Sequence, residues 1–549
     1  MRRLISSATL LLVICLPTAA QHTGHATKND KEPPAAGLMS GLGTLHHPVT
    51  TTNVEAQRFF NQGLALVFAF NHDEAVRSFT RAAELDPKMG MAHWGVALAL
   101  GPNINLDVDP AREKAAYDAV QKAVSLQANA SENERAYIVA LAKRYSDDPK
   151  ADLKKLDLEY KHAMSDLVKQ YPDDLDAAVL YAESSMDLRP WKLWTPDGRP
   201  APGTEEIVSV LESVLRRNPN HPGAIHYYIH AVEASPNPER ALAYAPKLGV
   251  LMPAAGHIVH MPAHIYQRTG DYEAAAQSNV DAAAADVAYL SNNQVKGIYG
   301  LMYYSHNLHF LAIASVMQGR LIEAVNASKQ LDGNVGPALK EMPMLEGFMT
   351  VTPLIFVHFH RWEEINKMRE PDPSLLGFGA VCHFARGMAS ASLKDSAQAE
   401  VEQKAFVKMM AAIPAEAQFG LNPAHNVMAI ADKVLAARIA ALSTEAAAIP
   451  LLRQAVELED ALAYDEPSAW FSPTRQMLGG ALLKTGDYAG AEQVFRADLE
   501  RNKRNGRSLF GLMESLNGQK KGYAAQLVQR EYELAWKNAD QKLKVDDLW

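Results

Sequence analysis

The sequence predicts an all-α solenoid built from antiparallel helix pairs. Three observations carry that expectation. From Asn53 onward apolar residues recur at intervals of three and four, the spacing that lines one face of a helix. Alanine is abundant, and no long Val/Ile/Thr alternation signals a strand. The helices come in pairs whose small, aromatic and proline residues return about every 34 residues, the period of a helical repeat array.

The chain opens on a different pattern. Arg2 and Arg3 precede the apolar run Leu10 to Leu16, and Thr18-Ala19-Ala20 follow Pro17. This reads as a signal peptide over 1–20, cleaved after Ala20, with a periplasmic or secreted product. The apolar run is too short to span a bilayer, so no stable membrane insertion is expected. Cleavage removes Cys15 and leaves Cys382 as the one mature cysteine, which excludes an intrachain disulfide, a CxxCH haem attachment and a zinc ribbon. The formal charge of −9 becomes −11, with 52 basic against 63 acidic side chains. A mildly acidic chain without a basic block argues against nucleic acid. A hydrophobic fraction of 48% is ample for a core, and the 549-residue length favours several domains or a repeat array over one compact core. Residues 21–54, polar and Pro/Gly-rich, read as a flexible arm whose last part is ordered.

In FFNQGLALVFAFNHDEAVRSFTRAAELDP, Gly63, Ala75, Phe79, Ala82 and Pro87 follow a small–aromatic–proline order. The segment resembles a tetratricopeptide repeat (TPR) beginning at Ala56. GDYEAAAQSN around Ala275 and GDYAGAEQVFRADL around Ala491 and Phe495 are similar to it. The resemblance extends, with degenerate copies, over most of 53–540. It implies a TPR-like α-solenoid, a right-handed superhelix, and it implies a protein or peptide partner, since such arrays mostly bind other proteins. Pro219 and Pro253 stand where repeats end and place the next starts at Pro222 and Gly256; Gly270-Asp271-Tyr272 then falls in the turn between helices. Three stretches follow: N-terminal helices over 55–218, histidine-rich repeats over 219–333, and C-terminal helices over 334–549. The first is interrupted at 101–110 and 188–204. Arg189, Trp191 and Trp194 fit the second interruption either to a lid over a groove or to a packed surface loop. SENE at 131–134 reads as a capping box.

The chemistry concentrates in the middle stretch. Eight of the 19 histidines lie between His221 and His309, seven of them in HYYIH, HIVHMPAH and SHNLH. Their spacings of three and four stack imidazoles on one helix face. In the resembled family the concave side is lined from places two, five, nine, twelve and thirteen of each repeat. That frame puts His226, His230 and Glu233 on one such face. It adds His257, His260 and His264 from the next repeat, His306 and His309 from the repeat at Ser305, and Glu183 and Asp187 from the repeat upstream. Helices about 8–10 Å apart let such side chains meet on one ion. Imidazole without thiolate suits a transition metal, here zinc, copper or iron, as one or two ions. Glu183, Asp187 and Glu233 are the proton-transfer candidates of a metal-dependent enzyme acting on a small-molecule substrate in the concave groove. Two other readings stand beside this one: a non-catalytic scaffold whose polar groove takes a peptide or an anionic ligand, and a hydrogen-bonded network that stiffens the array. Pro262, between His260 and His264, is expected to kink that helix or to mark its start.

The remaining features carry less. His93, His383 and His425 read as structural. His358 and His360 read as helix-end residues, and Tyr227, Tyr228, Tyr303 and Tyr304 flank the cluster. The 20 methionines are dispersed as core filler. The sequence contains no Gly-rich phosphate loop, nucleophile elbow or HExxH.

Overall fold

A computed structural model of the protein describes residues 36–293 and 298–549. The expected signal peptide and its cleavage point lie outside these residues. So does the arm as far as residue 35. Helices make up most of these residues, and most of them pack on the next along the chain. Among the described residues the only ladder is a two-residue hairpin, Gln418–Phe419 with Asn422–Pro423. No helix there is long and apolar enough to cross a membrane.

The first repeat shows how sequence becomes packing. Asn53 caps the helix Val54–Val67 by accepting from the amides of Glu55 and Ala56. A tight turn through Phe70 leads into His72–Leu85, and Gly90–Leu100 follows. Phe79 is fully buried, with Gly63 and Gly95 on either side of its ring. A Cβ at either glycine would come within 2.7 and 2.3 Å of that ring, so the aromatic fills the space that the glycines vacate. The C-terminal half repeats the device, with Phe495 between Gly479 and Gly511. Ser131 and Glu134 form the expected capping box.

Residues 36–53 are not a free arm. They lie along the first helices, where Thr50 donates to Glu134 and Thr51 to Asp86. His47 Nδ1 lies 2.7 Å from Asp176. At 101–110 the chain makes a short bridge between Asn103 and Leu106, and Pro110 opens the next helix.

Two hydrophobic cores divide the molecule. One runs from Ala36 to Ile265, the other from Tyr272 to Trp549. The histidine-rich repeats sit at the seam. There the C-terminal half folds back on them. Tyr272 donates to the Lys503 carbonyl at 2.9 Å, and the turn at Gly270 (φ +80°) presses so close to Lys503 that no Cβ would fit. Phe310, Ala263 and Ala275 form a small third cluster at the same seam.

Candidate metal centre

Three helical stretches carry the ligand-type side chains: Pro222–Val232, the consecutive helices Gly256–His260 and Pro262–Thr269, and Ser305–Met317. Pro222 starts the first with the φ that a helix needs and no amide to waste. Pro262 does not scatter the second. Met261 keeps helical angles (φ −52°, ψ −36°), so proline removes a hydrogen bond without turning the chain. His257, His260 and His264 therefore stay on one line.

Six imidazoles converge as two triads. His226 Nε2 lies 3.1 Å from His230 Nε2 and 3.1 Å from His257 Nε2. His260 Nε2 lies 2.8 Å from His264 Nε2 and 3.1 Å from His306 Nε2. Within each triad the three nitrogens fall within 4.8 Å of one another. The triads abut, with the rings of His230 and His264 5.6 Å apart.

The Nδ1 atoms point away and are held from outside. His226 Nδ1 donates to the Phe68 carbonyl at 2.6 Å. His260 Nδ1 donates at 2.7 Å to Asn279 Oδ1, whose own amide group is spent on Ala275 O. Glu233 spans both triads, taking His230 Nδ1 at 2.7 Å and His264 Nδ1 at 2.5 Å. Carbonyls and carboxylates only accept, so these four rings carry their proton on Nδ1 and turn Nε2 inward.

Burial sets the charge. It pushes the His226, His257, His260 and His306 pKa values well below the usual imidazole range, and the neighbouring histidines add to the push. His230 is lowered by burial, with Glu233 opposing. His264 is raised, because Glu233 outweighs its burial. Burial also opposes ionisation of Glu233, yet His264 and His230 overcome it and hold that carboxyl below the carboxylate range.

The surroundings are aromatic. Phe70, in the left-handed region at φ 55°, packs on His226, His230 and His257. Phe310 packs on His260, His264 and His306, and Tyr303 covers His257. The 188–204 segment lies over the first triad: Trp191 meets His230 edge-on at 5.4 Å, and Trp194 donates to Ala231 O. From the C-terminal half Tyr464 reaches within 3.2 Å of Glu233 and 2.7 Å of Glu466, whose pKa burial pushes up to about 7. A cavity of about 20 Å³ between Trp191, His230, Glu233 and Tyr464 holds roughly one water-sized molecule. Five of the six imidazoles are buried and His306 is half-buried, so the cluster is packed into the fold, and this cavity, which His230 borders, is too small for a peptide.

Three expected members stand apart. His309 packs against Phe348 outside both triads, and burial lowers its pKa to about 4. Glu183 and Asp187 are buried against each other and Arg144, which donates to Asp187 at 2.6 Å. Arg144 claims the pair, which stays outside both triads. Of the other histidines, His383 pairs with Glu402 and His425 with the Ile413 carbonyl. His358 is buried against Ser472, and His360 stacks on Trp362. Tyr227 packs on Phe68 and Phe70, Tyr228 donates to Glu212, and Tyr304 packs into the second core. Phe70, Asn279 and Tyr464 were not legible as members of the site. The only local hint was the turn AFNHD, which carries Phe70.

Residues 56–89 match the tetratricopeptide repeat family. They carry one such repeat, and antiparallel helix pairs continue after it along the chain. Among solved structures, the chain is similar to human IFIT1, a dimer with m7Gppp-AAAA, at 12% identity and TM-score 0.34, covering 88% of this chain and 91% of that one. It is similar to yeast Tom70 at 11% identity and TM-score 0.30, covering 89% and 93%. It is also similar to the TPR domain of P58(IPK) at 11% identity and TM-score 0.21, covering 85% and 99%. No curated protein matches the sequence.

Proposed function

We propose that this tetratricopeptide-repeat protein binds a pair of transition-metal ions, one in each histidine triad, and that the protein is periplasmic or secreted. One observation carries the metal reading. Bare Nε2 lone pairs face each other at 3.1 Å between His226 and His230 and at 2.8 Å between His260 and His264. Facing lone pairs repel, and burial disfavours the proton that would relieve them on His226, His230 and His260, while Glu233 favours one on His264. A cation relieves both contacts at once. Nitrogens around a tetrahedral ion at 2.0–2.1 Å stand about 3.3 Å apart, close to the spacing here. Glu233, Asn279 and the Phe68 carbonyl then act as the outer partners that orient ligand imidazoles.

Copper fits the donor set best of zinc, copper and iron. All six ligands are neutral, and Glu233 is the one ionised carboxylate in contact with them. A buried divalent pair carries about four positive charges into a low-dielectric site, and a monovalent copper pair carries half of that. Three protein ligands leave a position open on each ion. The cavity beside His230 admits a small molecule to it, and Tyr464 and Glu466 stand where a proton can be passed to Glu233. The repeat array remains a scaffold whose outer helix faces are free to bind proteins.

Elemental analysis of untagged protein tests this reading. About two metal atoms per chain, mainly copper, is the expected result. Metal-free protein that stays so after incubation with copper and with zinc overturns it.

A further inference from the structure

A second constellation lies in the C-terminal half. A cavity of about 20 Å³ is lined by His358, Arg438, Ser472, Arg507 and Trp549. Arg507 is 4% exposed. One of its terminal nitrogens donates to the Asp547 carbonyl, and its Nε–H has no partner. Arg438 donates to the Ser392 hydroxyl at 3.0 Å, and its guanidinium lies 5.0 Å over the Trp549 ring. Among the described residues neither guanidinium is ion-paired to a carboxylate. The nearby acids are engaged elsewhere: Glu445 and Asp546 with Lys484 at 3.0 and 3.2 Å, and Asp547 with the Lys544 amide at 2.7 Å.

His358 completes the arrangement. It is 4% exposed, its Nδ1 lies 2.9 Å from the Ser472 hydroxyl, and its Nε2 has no partner. Burial, with Arg507 close by, keeps this imidazole neutral. In the tautomer in which the serine hydroxyl donates to Nδ1, the ring proton sits on Nε2 and is free to donate. In that tautomer two unspent N–H donors, with two guanidinium groups that no carboxylate pairs among the described residues, border the cavity. A buried charged donor left in that state is costly, and an anion removes the cost.

We propose that this cavity is an anion site for one small monovalent anion, a halide or a single carboxylate group. Arg507 Nε and His358 Nε2 donate to it, and Arg438 supplies further positive charge. The volume admits about one water-sized occupant, which excludes a phosphate or sulfate.

Thermal melting of the full chain tests the proposal, in sodium bromide and in sodium formate, each against sodium gluconate at equal ionic strength. Bromide is expected to raise Tm by a few degrees in a saturable way, because it binds the folded state alone. A rise in both salts is expected if a carboxylate group is the occupant, and a rise in bromide alone if a halide is. Arg507→Gln should abolish the response. Should that variant fail to fold, wild-type crystals soaked in bromide decide, with an anomalous peak expected between Arg507 and His358. Equal melting in all three salts, with no such peak, overturns the proposal.

Discussion

The Nε2 atoms of His226 and His230 stand 3.1 Å apart with no hydrogen to share. Each ring has spent its single N–H through Nδ1, His226 on the Phe68 carbonyl and His230 on Glu233. The i, i+4 spacing stacks the rings, and the outer partners turn their bare faces toward each other. His257 closes the triangle from the next repeat. A second triad of the same kind stands at His260, His264 and His306.

Because the triads use separate ligands, they are expected to fail separately. His226→Ala should remove about one metal ion per chain and leave the other, and His260→Ala should do the same for the second. Helicity should stay intact, since each repeat packs mainly on its neighbours. Metal stoichiometry and far-UV circular dichroism on each variant check this. Lost helicity with no change in metal content would mean that the histidines are a structural network.

Glu233 touches both triads and should affect both. Glu233→Gln offers one acceptor oxygen where two imidazoles need one each, so metal affinity should fall by about 10–100-fold. Competition with a chromophoric chelator measures it. His309→Ala, outside the triads, should leave affinity unchanged.

Acid should weaken the metal-free protein in a defined direction. His226, His257, His260 and His306 have folded pKa values below the unfolded value of about 6.5. Below that pH the unfolded chain takes protons that the fold refuses, so stability present above about 6.5 is lost as pH falls. Each such imidazole costs about 1.4 kcal/mol per pH unit once the unfolded form is fully protonated. Urea midpoints between pH 8 and 5.5 should fall accordingly. A flat profile would contradict buried neutral rings.

Packing in the first repeat gives a prediction independent of the metal. Gly95→Ala places a methyl 2.3 Å from the Phe79 ring and should cost about 1–3 kcal/mol by overpacking. Gly522→Ala meets open space and should be close to neutral. Denaturation midpoints of the two variants separate them.

Much of this was readable beforehand, for physical reasons. Helix pairing follows from local periodicity, and the proline and glycine punctuation marks the helix starts at Pro222 and Gly256. Histidines at i, i+4 share a face by geometry alone, which is why six of the seven named histidines meet. His309 misses because Phe310, one residue on, is the side chain that turns over the second triad. Glu183 and Asp187 lie at the end of one helix, but Arg144 is distant in sequence, so its claim on them leaves no local signal. Tyr464 and Phe70 were hidden for the same reason: they reach the site through the fold-back of distant repeats and through a left-handed turn. The burial of the cluster, where an open groove was expected, follows from that fold-back too.

The most direct measurement is anomalous diffraction at the copper edge from crystals of protein supplied with copper. Two peaks are predicted, one about 2 Å from the Nε2 atoms of His226, His230 and His257, the other about 2 Å from those of His260, His264 and His306. Density without an anomalous peak on either triad would contradict the two-ion centre.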